Sequence, residues 1–268
     1  MKIMYLVPHL STGGMPQYTY LIMKKLVELG HQIYCVEYQD IAPIYRVQKD
    51  RIRNLLANNY TCLGEDKSEF FNILENVKPD VLHIQEIPEL NFPDEFTTKI
   101  YENRLYKIVE TTHAQGFDVR NDKRFFPDGF VFVNKSHVSQ YEHLDIPYEI
   151  VFPSLEDNER PDRTSGLQGL GLDPDKKHVL NVGLFTRRKN QGEIFELAKK
   201  LPDIQFHFIG NQAGNFADYW QPLMKTKPDN CTVWGERNDM DLFYSCMDLF
   251  GFVCISMYLY VLVCICMY

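Results

Sequence analysis

Basic residues are in short supply: 28 lysines and arginines stand against 36 aspartates and glutamates, a formal net charge of −8. That balance excludes a nucleic-acid phosphate backbone as the main partner. Cysteine is nearly missing from the first 245 residues, where only Cys35, Cys62 and Cys231 occur, with no zinc spacing and no disulfide framework. Such usage fits a reducing compartment and predicts a cytoplasmic protein. A long apolar run is missing at the start, where five residues from Ile3 to Val7 lead into Pro8 with no cleavage site of small residues behind them. The opening reads as a first strand rather than a signal peptide. A full dinucleotide fingerprint, a P-loop, internal repeats and low-complexity segments are also lacking before residue 250. Charge is lacking altogether from Gly251 to Tyr268, where Gly251 and Ser256 alone fall outside the apolar set and where the remaining cysteines after Cys246 collect. What is present is ordinary for a globular chain: 268 residues, 45% apolar and 24% charged, enough for between one and two domains.

Short apolar runs alternate with helical patterns from the first residue. Ile3 to Val7, Ile33 to Val36, Val81 to Ile84, Lys107 to Val109, Phe130 to Val133 and Glu149 to Phe152 read as strands buried on both faces. Between them, Gln17 to Leu29, a helix capped by Ser68 and ended at Lys78-Pro79, Asp94 to Tyr101 and Ser136 to His143 read as helices. Ser154 to Pro174 is polar and rich in turn residues, and reads as a linker with an approach loop. The alternation then restarts with strands at His178 to Val182, Ile204 to Ile209 and Thr232 to Trp234. Helices at Gln191 to Leu201, Phe216 to Met224 and Met240 to Cys246 complete it. The expected fold is α/β: two Rossmann-like, doubly wound parallel-sheet domains over residues 1–155 and 176–250, the second incomplete, joined by a linker over 156–175 and followed by a tail over 251–268. Ligands in such sheets bind beyond the carboxyl ends of the strands, so the loops after Val7, Val109, Val182 and Ile209 matter most.

Two of those loops carry anion-binding chemistry. His9 to Gly14 joins a strand to a helix, and Gly13-Gly14 lets backbone N–H groups approach an anion at the helix N-terminus, although a tight turn alone would explain the pair. Arg187-Arg188-Lys189 stands directly before a helix, where three cations oppose the positive end of the dipole unless an anion sits among them. A solvated basic loop is the plainer alternative. His113 follows a strand at the edge where catalytic groups collect, whereas His83 lies inside an apolar run as a core histidine would.

These residues resemble glycosyltransferase family 4. The strand–Gly13-Gly14–helix opening, Lys78 to Ile84 and Val109 to His113 resemble its N-terminal domain. Asn181 to Gln191 resembles the start of its donor domain, with Phe208 to Asn211, Val233 to Glu236 and Met247 to Phe250 matching its later strands. The likeness covers residues 1 to about 250 and is most specific from Gly183 to Lys189. It implies a GT-B fold with the donor in a cleft between two domains, and metal-independent transfer from a nucleotide-diphospho-sugar with retention of configuration. By family position Lys189 is the donor-phosphate lysine. The usual arginine after the glycine is Leu184 here, so Arg188 or Arg187 would replace it. His113 corresponds to a cleft histidine beside the transferred sugar. Gly13, Gly14, Gly183, Asn190, Gly210 and Glu236 fall at donor-binding positions. No metal or other cofactor is implied, and the acceptor is left unnamed.

The family's two spaced glutamates after the Asp248 strand have no counterpart, because the chain continues from Phe250 without an acid. A truncated transferase is therefore expected, with a non-catalytic binding module as the alternative. Three readings of the tail stay open. A membrane anchor would have only the 17 residues from Phe252 to Tyr268, Ser256 among them, and no basic flank, so membrane association is not favoured; a buried strand fits only Leu249 to Ile255. A mis-joined or shifted reading frame after Phe250 accounts for a stretch built largely from Met, Tyr, Val and Cys, the translation of a simple TG/TA repeat.

Overall fold

The computed structural model of the chain describes residues 1–40, 47–113, 116–154, 160–256 and 259–266. The chain divides into two compact units, residues 1–156 and 157–268.

The first unit is built on a seven-stranded parallel sheet. In chain order its elements are β1 (Lys2–Val7), α1 (Gly14–Glu28), β2 (Gln32–Glu37), α2 (Val47–Leu56), β3 (Tyr60–Cys62), α3 (Glu69–Val77), β4 (Val81–Gln85), α4 (Pro88–Asn91), α5 (Asp94–Tyr101), β5 (Lys107–Thr112), α6 (Val119–Asp122), β6 (Gly129–Phe132), α7 (Val138–Tyr141) and β7 (Tyr148–Ile150). The strand order is β3-β2-β1-β4-β5-β6-β7, so the winding direction reverses between β1 and β4. Period-two alternation places Met4 and Leu6 in one core with Phe70, Leu82 and Ile108, and Ile3, Tyr5 and Val7 in the other with Met23 and Ile33. A side chain buried so completely contributes about 1.5–3 kcal/mol. This two-sided burial is why β1 reads as an unbroken apolar run.

The second unit holds α8 (Arg163–Leu170), β8 (Lys177–Val182), α9 (Gln191–Lys200), β9 (Ile204–Ile209), α10 (Ala217–Lys225), β10 (Cys231–Gly235), α11 (Met240–Cys246), β11 (Leu249–Ser256) and β12 (Leu259–Cys266). Its sheet runs β10-β9-β8-β11-β12, with the first four strands parallel and β12 antiparallel to β11. The winding reverses between β8 and β11. Phe185, Ile194, Phe195, Phe206 and Phe208 form one core, and Leu167, Leu180, Phe243 and Met247 the other.

Four expectations differ from the structure. β5 continues to Thr112 instead of stopping at Val109, since Glu110, Thr111 and Thr112 are fully buried and pair with β6 despite their polarity. Ser68 makes no side-chain cap on α3; its own N–H instead donates to Asp66 Oδ1 at 2.8 Å. Residues 163–170, inside the stretch read as a linker, form α8. Asp162 caps it through the Ser165 N–H, Gly171 ends it in the left-handed conformation, and Leu167 is buried. Gly166 is required there, because a Cβ would stand 2.5 Å from Ser245 Oγ and 2.9 Å from Cys246 Cβ. Finally, the sheet runs past residue 250. β11 pairs with β8 through Leu249 and Phe250, and Asn181 Nδ2 donates to the Gly251 carbonyl at 2.8 Å.

Candidate functional site

In the first unit the carboxyl ends of β4 and β5 meet at His113. The residue directly follows β5 and is half-buried; its N–H donates to Glu86 Oε2 at 3.3 Å, and Tyr18 of α1 meets its ring edge-on with centroids 5.3 Å apart. Gly13 precedes α1 with φ 141°, a backbone state that other residues rarely adopt, and open space surrounds the position a Cβ would take on Gly14. The loop between them and β1 is closed on itself, with Ser11 Oγ 2.7 Å from His9 Nδ1. Glu86, just past β4, holds φ +75°, which a glutamate adopts only under strain. Burial lowers the His113 pKa to about 4, with His137 nearby adding to the shift. Its imidazole is therefore neutral at pH 7 and acts as a hydrogen-bonding group rather than a cation.

Sequence reasoning missed the support of this edge. Glu37 at the end of β2 is buried, accepts from the Leu10 N–H at 2.9 Å and the Tyr60 hydroxyl at 2.5 Å, and pairs with the buried Lys49 ammonium at 3.1 Å. These partners tie the β1 loop to β2 and β3. A separate pocket of about 400 Å³ is lined by Asp40, Lys49, Arg53, Tyr60, Thr61 and Cys62, and none of the predicted site residues lines it.

In the second unit the loops after β8, β9 and β10 bring the remaining candidates together. Gly183 directly follows β8 and Gly210 directly follows β9. A Cβ on Gly210 would overlap the Gly183 carbonyl, so the approach of the two loops needs glycine at 210. The Lys189 stem runs over Gly183, with its methylenes 3.5–3.6 Å from where a Cβ would stand. Arg187, Arg188 and Lys189 form a 3₁₀ turn that Thr186 caps, its Oγ1 accepting from the Lys189 N–H at 3.4 Å. Asn190, left-handed at φ 49°, redirects the chain into α9. Glu236 accepts from Asn211 Nδ2 at 3.0 Å, linking the loops after β9 and β10.

The three cations differ in their surroundings. Arg187 pairs with Asp218 at 2.9 Å and lies over the Tyr219 ring, both at the start of α10. The Tyr219 hydroxyl accepts from the Gly192 N–H at 3.2 Å, so the first turn of α9 has a phenol oxygen for a partner. Arg188 is exposed. Lys189 is exposed too, and its ammonium has no hydrogen-bond or ion-pair partner among the described residues. Among those residues no group of three His, Cys, Asp or Glu could hold a metal ion, and no helix is long and apolar enough to cross a membrane.

No family model and no curated protein matches this sequence. Solved structures do match its fold. Sucrose-phosphate synthase from Thermosynechococcus elongatus is 12% identical with a TM-score of 0.68, over 93% of this chain and 75% of that one. HepE of Anabaena, solved with UDP-glucose, is 12% identical with a TM-score of 0.71, over 96% and 74%. WaaG, a glycosyltransferase of lipopolysaccharide biosynthesis, is 13% identical with a TM-score of 0.62, over 96% and 75%. The fold is the GT-B fold of glycosyltransferases, and the chain spans about three quarters of the length of these structures.

Proposed function

We propose that this chain is a cytoplasmic glycosyltransferase that draws on a nucleotide-diphospho-sugar and transfers the sugar with retention of configuration, in the manner of family 4. The carrying observation is Lys189: a cation at the winding reversal of a parallel sheet, its stem laid over Gly183 and its ammonium unpartnered among the described residues. A departing nucleoside diphosphate develops negative charge, and a fixed ammonium stabilises that charge more in the transition state than in the ground state. Arg188, in the same turn, adds a second cation, whereas Arg187 is engaged by Asp218. Gly183, Asn190, Gly210 and Glu236 shape the loops that would hold the donor. In the first unit, Gly13 and Gly14 offer backbone N–H groups suited to an anion, and His113 offers its ring to a hydroxyl.

The reading is tested by incubating the full chain with UDP- and GDP-hexoses and following nucleoside diphosphate release and the anomeric proton of the product. Release that persists in EDTA, with the donor's anomeric configuration retained, is the expected outcome. Release that needs a divalent cation, or an inverted product, overturns the mechanistic part.

A second reading, a non-catalytic donor-binding module, is favoured by one observation: Leu184, an apolar side chain 38% exposed, stands where the family has its arginine. Donor binding with no release in the same experiment would select it.

A further inference from the structure

The structure assigns Gln85 as a positioning residue that holds His113 in the Nε2–H tautomer, so that Nδ1 is presented as a hydrogen-bond acceptor to a hydroxyl-bearing substrate. The parallel register sets Gln85 beside Thr111 and His83 beside Val109, so His83 and Gln85 share a face of β4 on which Thr111 and His113 also fall. Three contacts link them: Thr111 Oγ1 to His83 Nε2 at 2.7 Å, Gln85 Nε2 to His83 Nε2 at 3.3 Å, and His113 Nε2 to Gln85 Oε1 at 3.1 Å.

With the Gln85 amide nitrogen toward His83 and its oxygen toward His113, the donors in this chain follow from chemistry. An amide nitrogen only donates and an amide oxygen only accepts. His83 Nε2 is therefore a lone pair that receives both the Gln85 amide and the Thr111 hydroxyl, and its proton resides on Nδ1. The Gln85 oxygen in turn demands a proton on His113 Nε2. Gln85 is 1% exposed and His83 is 8% exposed, so water does not compete for these positions. The His83 ring also packs at a 30° tilt against Tyr5, with ring centroids 4.6 Å apart. Nδ1 of His113 is left as the ring's acceptor. A neutral imidazole so oriented recognises a hydroxyl by accepting its proton into a hydrogen bond, and offers no charge to a phosphate. That the hydroxyl belongs to a sugar rests on the glycosyltransferase reading; the tautomer does not.

The test is imidazole ¹⁵N NMR on the full chain, with the His113 signals assigned by their loss in His113→Gln. At neutral pH the wild type is expected to show His113 as the Nε2–H tautomer alone. Gln85→Leu is expected to release a tautomer mixture. Gln85→Glu, which keeps the shape and an accepting oxygen, is expected to preserve Nε2–H and raise the His113 titration by about one pH unit or more, since a carboxylate favours the imidazolium. Tyr18 from α1, Glu86 after β4 and His137 after β6 also face or neighbour this ring and stay constant across the series. An Nδ1–H tautomer in the wild type, or an unchanged tautomer in Gln85→Leu, overturns the assignment. Should Gln85→Leu not fold, an unmoved titration in Gln85→Glu does the same. Failure of the glycosyltransferase reading would appear as absent donor turnover with these signals as expected, so the two outcomes are distinguishable.

Discussion

At the residue scale, the functional loops of the second unit rest on glycines chosen by contact. Gly210 combines φ +151° with a backbone approach that no side chain permits. Gly210→Ala is expected to destabilise the unit by about 2–4 kcal/mol, combining backbone strain and overpacking, as read from urea unfolding. Gly14 has open space instead, and Gly14→Ala should leave stability within about 0.5 kcal/mol, as for surface substitutions generally. The placement of Gly183, Lys189, Gly210 and Glu236 in loops at strand ends was legible because each sits in a short motif there. Gln85, Glu86, Glu37 and Tyr219 were not, because each is defined by a partner far along the chain: Gln85 by His113, Glu37 by Leu10 and Tyr60, Tyr219 by Gly192.

At the element scale, polar residues inside buried strands account for most of what the apolar pattern hid. β5 carries Glu110 at full burial, paired with the buried Lys123 at 2.8 Å; Lys123 also meets Glu89 at 3.1 Å. Burial pushes the Glu110 carboxyl up to about 7, against the opposing pull of Lys123. Lys123→Met would leave two buried carboxylates uncompensated, and a loss of about 3–5 kcal/mol is expected in denaturant unfolding. In the second unit Trp234 Nε1 donates to His207 Nδ1 at 3.1 Å, His207 Nε2 lies 3.0 Å from His178 Nδ1, and His178 Nε2 meets the Asp173 carbonyl at 2.8 Å. Read from the carbonyl backwards, every proton in this line is determined and both imidazoles are neutral. Burial, then His178, lowers the His207 pKa from 6.5 to about 4. The folded state thus binds its proton more weakly than the unfolded state. The resulting stability is present above pH 6.5 and is lost as pH falls toward 4, on the order of 3 kcal/mol. Unfolding free energies measured across that interval should show the slope, and His207→Gln should remove this share of it while the share carried by His113 remains.

At the scale of the whole molecule, the alternation of strand and helix, both parallel sheets and their winding were legible, because doubly buried strands read as apolar runs bounded by turns. The short edge strand β3 and helix α2 were not, since β3 is three residues long and α2 is polar outside Val47, Ile52, Leu55 and Leu56. β12 lies at the edge of the second sheet and carries no charge and no proline along its eight residues. Such an edge is a template for pairing with another chain, so concentration-dependent self-association is expected in light scattering, and V261K together with V263K should suppress it. The central claim concerns Lys189 and the donor diphosphate. Calorimetric titration of the full chain with UDP- and GDP-hexoses, compared with Lys189→Ala, tests it most directly. Saturable binding to the wild type that weakens roughly 10- to 100-fold in the variant, the worth of one charged hydrogen bond to phosphate, is the predicted result; no binding, or equal affinity in both proteins, would contradict it.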